Sequence, residues 1–282
     1  MALFKRLWRL TIQVNSVLKT YQELENSDTS LKIEFDVEVA VNGTFSNGNI
    51  TIHGLTTQDI AFLSTNFTNG SIKPSLVVLE AGYKERFGVL LKGNIIEAEP
   101  NFLNPVPSIR LKVISGALNN TQRLEMNTSI SKKATFKDLC ALVAKNNQSV
   151  LNYDLALGNI VIGDFVFDCS PFAQIEKLRE LNENALITLE NGKLFVKSKH
   201  SKGFKKIKLD SSNGLIGIPK PTFTGCIARS YLNPSLNSNV FVELKNSKIP
   251  QINGLYRLGA LKHKGSNRSD LWETELTLQK GF

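Results

Sequence analysis

Ile33-Glu34-Phe35-Asp36-Val37-Glu38-Val39 alternates apolar and acidic residues without a break. Successive side chains of a β-strand point to opposite faces, so this period of two buries one row and leaves the carboxylates in water. Working back from it, the opening MALFKRLWRLTIQV reads as a further strand. Lys5, Arg6 and Arg9 interrupt the apolar run that a secretion leader needs, and no small-residue cleavage site follows. Working forward, Val41-Asn42-Gly43 and Ser46-Asn47-Gly48 read as turns, followed by a strand over Asn49 to Gly54. Gln58 to Asn66 spaces Ile60, Phe62 and Leu63 for a short helix, and strands are expected at Ser75–Ala81, Val89–Ala98 and Ser108–Ser115. About six short strands so closely spaced predict a small barrel or sandwich.

The period then changes. Phe136, Leu139, Cys140, Val143 and Ala144 recur at helical spacing within Ala134–Asn146, with Thr135 as cap and Asp138 completing a capping box. Ser170–Asn182 repeats the pattern with Ser170 as N-cap, Pro171 in the first turn, and Ile175, Leu178 and Leu181 on one face. Ala185–Leu189 and Lys193–Lys197 flank Glu190-Asn191-Gly192, a hairpin signal. Beyond the basic segment Lys197–Lys208, strand grammar returns at Phe223–Ala228, Val240–Lys245, Gly254–Lys262 and Leu271–Leu278. The expected fold is mainly β with an α+β insert: a β domain over 1–118, an α+β module over 119–200 and a second β domain over 201–282. No low-complexity segment and no close internal sequence repeat is evident.

With 282 residues, 41% hydrophobic and 21% charged, the chain can bury a proper core and is not a disordered one. No apolar run reaches the roughly 18 residues needed to span a bilayer, so no membrane partner is expected. Cys140, Cys169 and Cys226 are an odd, widely spaced set, read as buried or half-buried free thiols. The net charge of +9 is unevenly spread: residues 1–196 carry 19 Lys/Arg against 20 Asp/Glu, residues 197–282 carry 15 against 5. An electrostatic partner is therefore expected at the C-terminal third.

Catalytic and cofactor patterns do not appear. His53, His200 and His263 stand apart from one another and from cysteine, and read as turn or surface residues; no metal and no cofactor is expected. Gly214-Leu215-Ile216-Gly217 lacks the third glycine and the GK[ST] ending of phosphate-binding loops. Glu97 with Glu99, and Asp36 with Glu38, alternate along strands as a solvated face would. Lys197, Lys199, Lys202, Lys205, Lys206 and Lys208 form the densest basic run, a candidate electrostatic contact. It also supports the alternative function, a nucleic-acid-binding module with Phe204 stacking on a base. Aromatics are not interleaved through the charge, so a solvated hairpin edge or linker is the stronger reading and specific nucleic-acid binding is not expected.

The C-terminal stretch is the most distinctive. Gly214-Leu215-Ile216-Gly217-Ile218-Pro219 is followed by Asn233-Pro234, Gly254-Leu255-Tyr256, His263-Lys264-Gly265 and Trp272-Glu273-Thr274. Read from the residues, the glycines supply turn or bulge geometry, Pro219, Pro221 and Pro234 enter turns and avoid ladder positions, His263–Gly265 makes a hairpin connection, and Trp272 anchors it. In order and spacing, Ser212 to Leu278 resembles the C-terminal part of the baseplate hub proteins of contractile-tailed, Mu-like phages.

The resemblance implies two small tube-like β-barrel domains around the α+β module, and a non-enzymatic homotrimeric ring with pseudo-sixfold symmetry. It implies that this ring joins the tail tube to the central spike. The implied partners are the tail tube protein, the spike protein and other baseplate proteins, with no small-molecule substrate. The implied location is the virion tail baseplate, assembled in the host cytoplasm.

Overall fold

The computed structural model describes residues 5–14, 16–26, 29–41, 45–64, 75–115, 126–130, 134–199 and 205–280, with the backbone alone for 126–130 and 172. The first β portion holds β1 (Leu7–Val14), β2 (Val17–Glu23), β3 (Lys32–Val39), β4 (Asn47–His53), α1 (Thr57–Ser64), β5 (Ser75–Tyr83), β6 (Arg86–Asn101) and β7 (Ser108–Ile114). The middle holds β8 (Met126–Ile130), α2 (Phe136–Asn146), β9 (Val150–Tyr153), β10 (Phe165–Cys169), α3 (Pro171–Leu181), β11 (Ala185–Glu190) and β12 (Lys193–Ser198). The last portion holds β13 (Lys205–Leu209), β14 (Leu215–Thr222), β15 (Gly225–Tyr231), β16 (Val240–Leu244), β17 (Gly254–Ser266) and β18 (Trp272–Gln279). The fold is mainly β with an α+β insert.

Thirteen strands form one sheet along the path β14-β15-β18-β17-β3-β4-β7-β6-β5-β1-β2, with β16 and then β13 branching from β17. β13 and β16 run parallel; the other pairs in this sheet are antiparallel. The path contains the same five-strand arrangement twice. In the first portion the order is β5-β6-β7-β4-β3; in the last it is β16-β17-β18-β15-β14. In chain order both read third, fourth, fifth, second, first. The fourth strand is long and bulged in both, between Ile95 and Glu97 in β6 and between Leu258 and Ala260 in β17. The units join where β17 pairs with β3, from Leu261↔Val39 to Ser266↔Glu34.

The alternation in the sequence is the alternation in space. Ile33, Phe35, Val37 and Val39 are buried while Glu34, Asp36 and Glu38 face outward. One apolar cluster, from Trp8 to Val113 and from Leu209 to Leu278, fills the interior of both β portions. Each fully buried Leu or Ile contributes ~1.5–3 kcal/mol, more than any exposed ion pair, so this cluster dominates stability. The insert has its own core of Phe136, Leu139, Cys140, Val143, Phe167, Ile175, Leu178, Leu189, Leu194 and Val196. Its caps are as expected: Thr135 and Asp138 close a capping box on α2, and Ser170 caps α3 with Pro171 in its first turn. Asn191 (φ 51°) and Gly192 (φ 77°) make the positive-φ turn of the β11–β12 hairpin.

Several expectations need correction. Ser46-Asn47-Gly48 is no turn: Asn47 and Gly48 begin β4, and a Cβ at 48 would stand 2.8 Å from Leu91 Cδ2. This glycine serves close packing. Asn42-Gly43 lies outside the described residues. β2 gave no signal because neither of its faces is fully buried. Pro219 and Pro221 do occupy a strand, β14, which tolerates them because it lies at the end of the sheet and carries an irregularity between Ile216 and Lys220. His263-Lys264-Gly265 is not a hairpin connection but the interior of β17; residues 267–271 make that turn.

Candidate assembly surface

The motif residues of the C-terminal stretch converge beneath the β17–β18 hairpin. Gly265 is the cross-strand partner of Trp272, whose ring meets Phe35 edge-on with centroids 5.1 Å apart. His263 is buried, contrary to the surface reading, and its Nδ1 lies 2.9 Å from Thr274 Oγ1. The Asn233 N–H donates to the same hydroxyl at 3.2 Å, so Thr274 Oγ1 has its own proton left for Nδ1. The ring is also hydrogen-bonded to the backbone of Leu236, and burial lowers its pKa to about 4, which keeps it neutral. His263 and Thr274 thus pin the loop that follows β15. Pro234 packs over Gly88 of the first β portion, and the Tyr256 hydroxyl donates to the Ile252 carbonyl at 2.6 Å. Gly254 opens β17 at a φ of 147°.

Gly214 and Gly217 flank the start of β14, with φ of 94° and 67°. The turn that delivers them is organised by Asp210, which sequence reasoning passed over. Its carboxylate is buried and accepts from the Ser212 N–H (2.9 Å), the Ser212 hydroxyl (2.6 Å), the Asn213 N–H (2.9 Å) and Asn213 Nδ2 (2.8 Å). Those hydrogen bonds, the Ser212 hydroxyl foremost, and Lys208 at 3.1 Å hold it far below the usual carboxylate range. A single acid preceding Ser-Ser-Asn-Gly was the available signal.

Among the described residues, the basic run does not form one platform. Lys197, on β12, is half-buried, and burial lowers its pKa against the pull of Asp154 and Glu190. Lys199 follows that strand, with its N–H on the Asn184 carbonyl. Lys205 and Lys206 are exposed on β13, and Lys208 is paired with Asp210. Lys202, His200 and Phe204 lie outside the described residues.

The insert is tied to the sheet through Glu190, also unforeseen. Glu190 is buried at the end of β11; Ser238 Oγ donates to its Oε2 at 2.5 Å and Asn239 Nδ2 reaches it at 3.5 Å. Burial raises its pKa. The Ser115 hydroxyl donates to the Leu189 carbonyl at 3.4 Å, and Phe45 bridges to Leu189. The docked hairpin therefore touches both β portions.

The solvent face of the sheet is laced with ion pairs across neighbouring strands: Glu97–Lys112 (3.5 Å), Glu99–Arg110 (2.6 Å), Asp36–Lys262 (3.1 Å), Lys264–Glu275 (3.0 Å) and Arg229–Glu273 (3.6 Å). These carboxylates neutralise cations and are not poised as an acid/base couple. The Cys140 thiol is pushed up to about 12 by burial and stays protonated. Among the described residues, the stretches of the sheet with a neighbour on one side only include β2, β13, β14 and Glu97–Asn101 of β6, past the reach of β5.

Solved structures share this architecture. A tail protein from Neisseria meningitidis MC58 superposes with a TM-score of 0.61 at 12% identity, covering 97% of this chain and 96% of that one. The 43 kDa tail protein of prophage MuSo2 from Shewanella oneidensis gives 0.59 at 10% identity, with 96% of each chain covered. The E. coli c3393 protein, a type VI secretion component similar to the T4 tail proteins gp27 and gp5, gives 0.58 at 9% identity over 96% of this chain and 77% of that one. No curated protein sequence matches. The fold is thus that of the phage-tail proteins. The baseplate hub gp41 family matches residues 8–277, and the chain belongs to that family. Its role is a structural one, in the hub of a tail baseplate.

Proposed function

We propose that this chain is a non-enzymatic ring-forming hub, three copies of which join the tube of a contractile tail to its central spike. On this reading residues 1–118 and 201–282 are the two tube-like β domains and 119–200 is a peripheral module. The observation that carries it is the doubled five-strand unit, joined side to side through β17 and β3. Two such units per chain give a threefold ring six similar sectors, and a closed ring covers edges that a lone sheet exposes. The charge surplus of residues 197–282 suits an acidic face on the tube or spike protein. Assembly places the protein in the virion tail, after folding in the host cytoplasm.

Native mass spectrometry across a concentration series, alone and with the tube and spike proteins, tests this reading. A trimer is expected. A strict monomer at high concentration, unable to form rings with its partners, overturns it.

A further inference from the structure

The two five-strand units can be aligned residue by residue on their bulges. Glu97, Ala98 and Glu99 of β6 then fall on Ala260, Leu261 and Lys262 of β17, since Glu97 faces Lys112 where Ala260 faces Thr277. The alignment carries across each ladder. Lys112 faces Asn49 as Thr277 faces Ile227, and Asn49 faces Asp36 as Ile227 faces Lys220. Lys220 of β14 therefore occupies the place of Asp36, and Glu99 the place of Lys262.

Within the chain those two places form the seam between units. Lys262 Nζ lies 3.1 Å from Asp36 Oδ1 and 3.0 Å from Glu38 Oε1. The counterparts at the two ends of the doubled unit, Glu99 and Lys220, are exposed on stretches of strand that have a neighbour on one side only among the described residues. Their charges are reversed relative to the inner seam.

We infer that β6 of one copy pairs with β14 of a second copy in the register of the β17–β3 seam, with Glu99 and Lys220 forming the reversed-polarity equivalent of the Lys262–Asp36 pair. This rests on the ring reading above and assigns its contact. Thr222, which falls on Glu38, becomes the direct partner of Glu99, as Glu38 is of Lys262. The reversal makes the edges selective. An acidic β6 edge repels a second β6 edge and accepts the β14 edge, which presents Lys220 in the register of the inner seam, so copies add head to tail. Pro100 on one strand, and Pro219 and Pro221 on the other, remove backbone donors, so this seam has a thinner ladder than the inner one. Such an edge resists casual pairing with foreign strands and depends on its side chains for register.

The test is a charge exchange read by native mass spectrometry of the full chain under ring-forming conditions. E99K and K220E should each reduce the ring fraction at least tenfold, and the double variant E99K/K220E should restore it. Because Glu99 also pairs with Arg110, thermal midpoints of the monomers check that the fold persists, and K220E, on an exposed edge, serves as the cleaner single variant. A second readout is crosslinking of E99C/T222C by a short bis-maleimide reagent, expected to give a covalent ladder ending at the ring size. If wild-type rings form and both single variants assemble equally well, or the double variant is not restored, the seam is wrong while the ring stands. If the wild type remains a monomer throughout, the ring reading fails and takes the seam with it.

Discussion

Gly265 and Trp272 face each other across the β17–β18 hairpin so closely that a Cβ at 265 would stand 2.7 Å from Trp272 Cε3 and 2.3 Å from the Phe35 ring. The glycine is there for space, since both rings need that volume. Gly265→Ala is expected to cost ~1–3 kcal/mol by overpacking, and Gly265→Val to prevent folding of the last hairpin. Urea unfolding of the purified variants measures this; a Gly265→Ala protein as stable as wild type would show that the rings move aside freely.

His263 sets an acid limit. Its folded pKa of about 4 lies below the ordinary 6.5, so the neutral ring is favoured by folding. Its contribution is complete above pH 6.5 and is lost as pH falls toward 4, on the order of 3 kcal/mol in all. Denaturant titrations at pH 7.5 and 4.5 should show that loss in the wild type and much less of it in His263→Asn. Equal pH dependence in the two proteins would rule this origin out. Asp210 acts in a lower window, because its depressed pKa removes stability only below the usual carboxylate range.

Glu190 has the opposite sign. Burial raises its pKa, so the charged form is penalised and stability is lost as pH rises through the carboxylate range. Glu190→Gln keeps an acceptor for Ser238 and should be ~1 kcal/mol more stable than wild type at pH 7, with the gap closing at pH 4.5. Glu190→Ala should be less stable at both, having stranded the Ser238 hydroxyl. Paired thermal melts at the two pH values decide the matter.

Asp210→Ala should loosen the turn that delivers β14 without unfolding the sheet. The readout is hydrogen exchange at the amides of Ser212, Asn213 and Leu215. Two of these donate to the Asp210 side chain and the third to its carbonyl. Faster exchange confined to this turn and β14 is expected; unchanged protection would remove Asp210 from its proposed role.

The strands that were legible in the sequence are those with one wet and one buried face, such as β3 and β18. Both insert helices were legible too, because Thr135 and Ser170 announce their starts chemically. The strands that were not legible lie at edges or in breaks of that rule. β2 has no buried row, and β14 is dominated by Gly217, Pro219 and Pro221, which read as punctuation until the sheet supplies an edge that tolerates them. His263 misled because a buried neutral imidazole leaves no local signature; its partners Asn233, Leu236 and Thr274 come from other segments. The doubled unit was hidden for a related reason. Its repeats share pairing order and bulge position, while Glu99 and Lys262, or Asp36 and Lys220, differ in sign.

The inner seam between β17 and β3 has one more consequence. Two sectors linked in one chain meet at an effective concentration on the order of millimolar, however dilute the protein. In the threefold ring proposed above, half the contacts between the six sectors would then be made during folding, and only the remaining half would await collision between separate molecules. On that proposal a cell making few copies of this chain would still complete the ring, whereas one built from six loose sectors would stall at partial arcs.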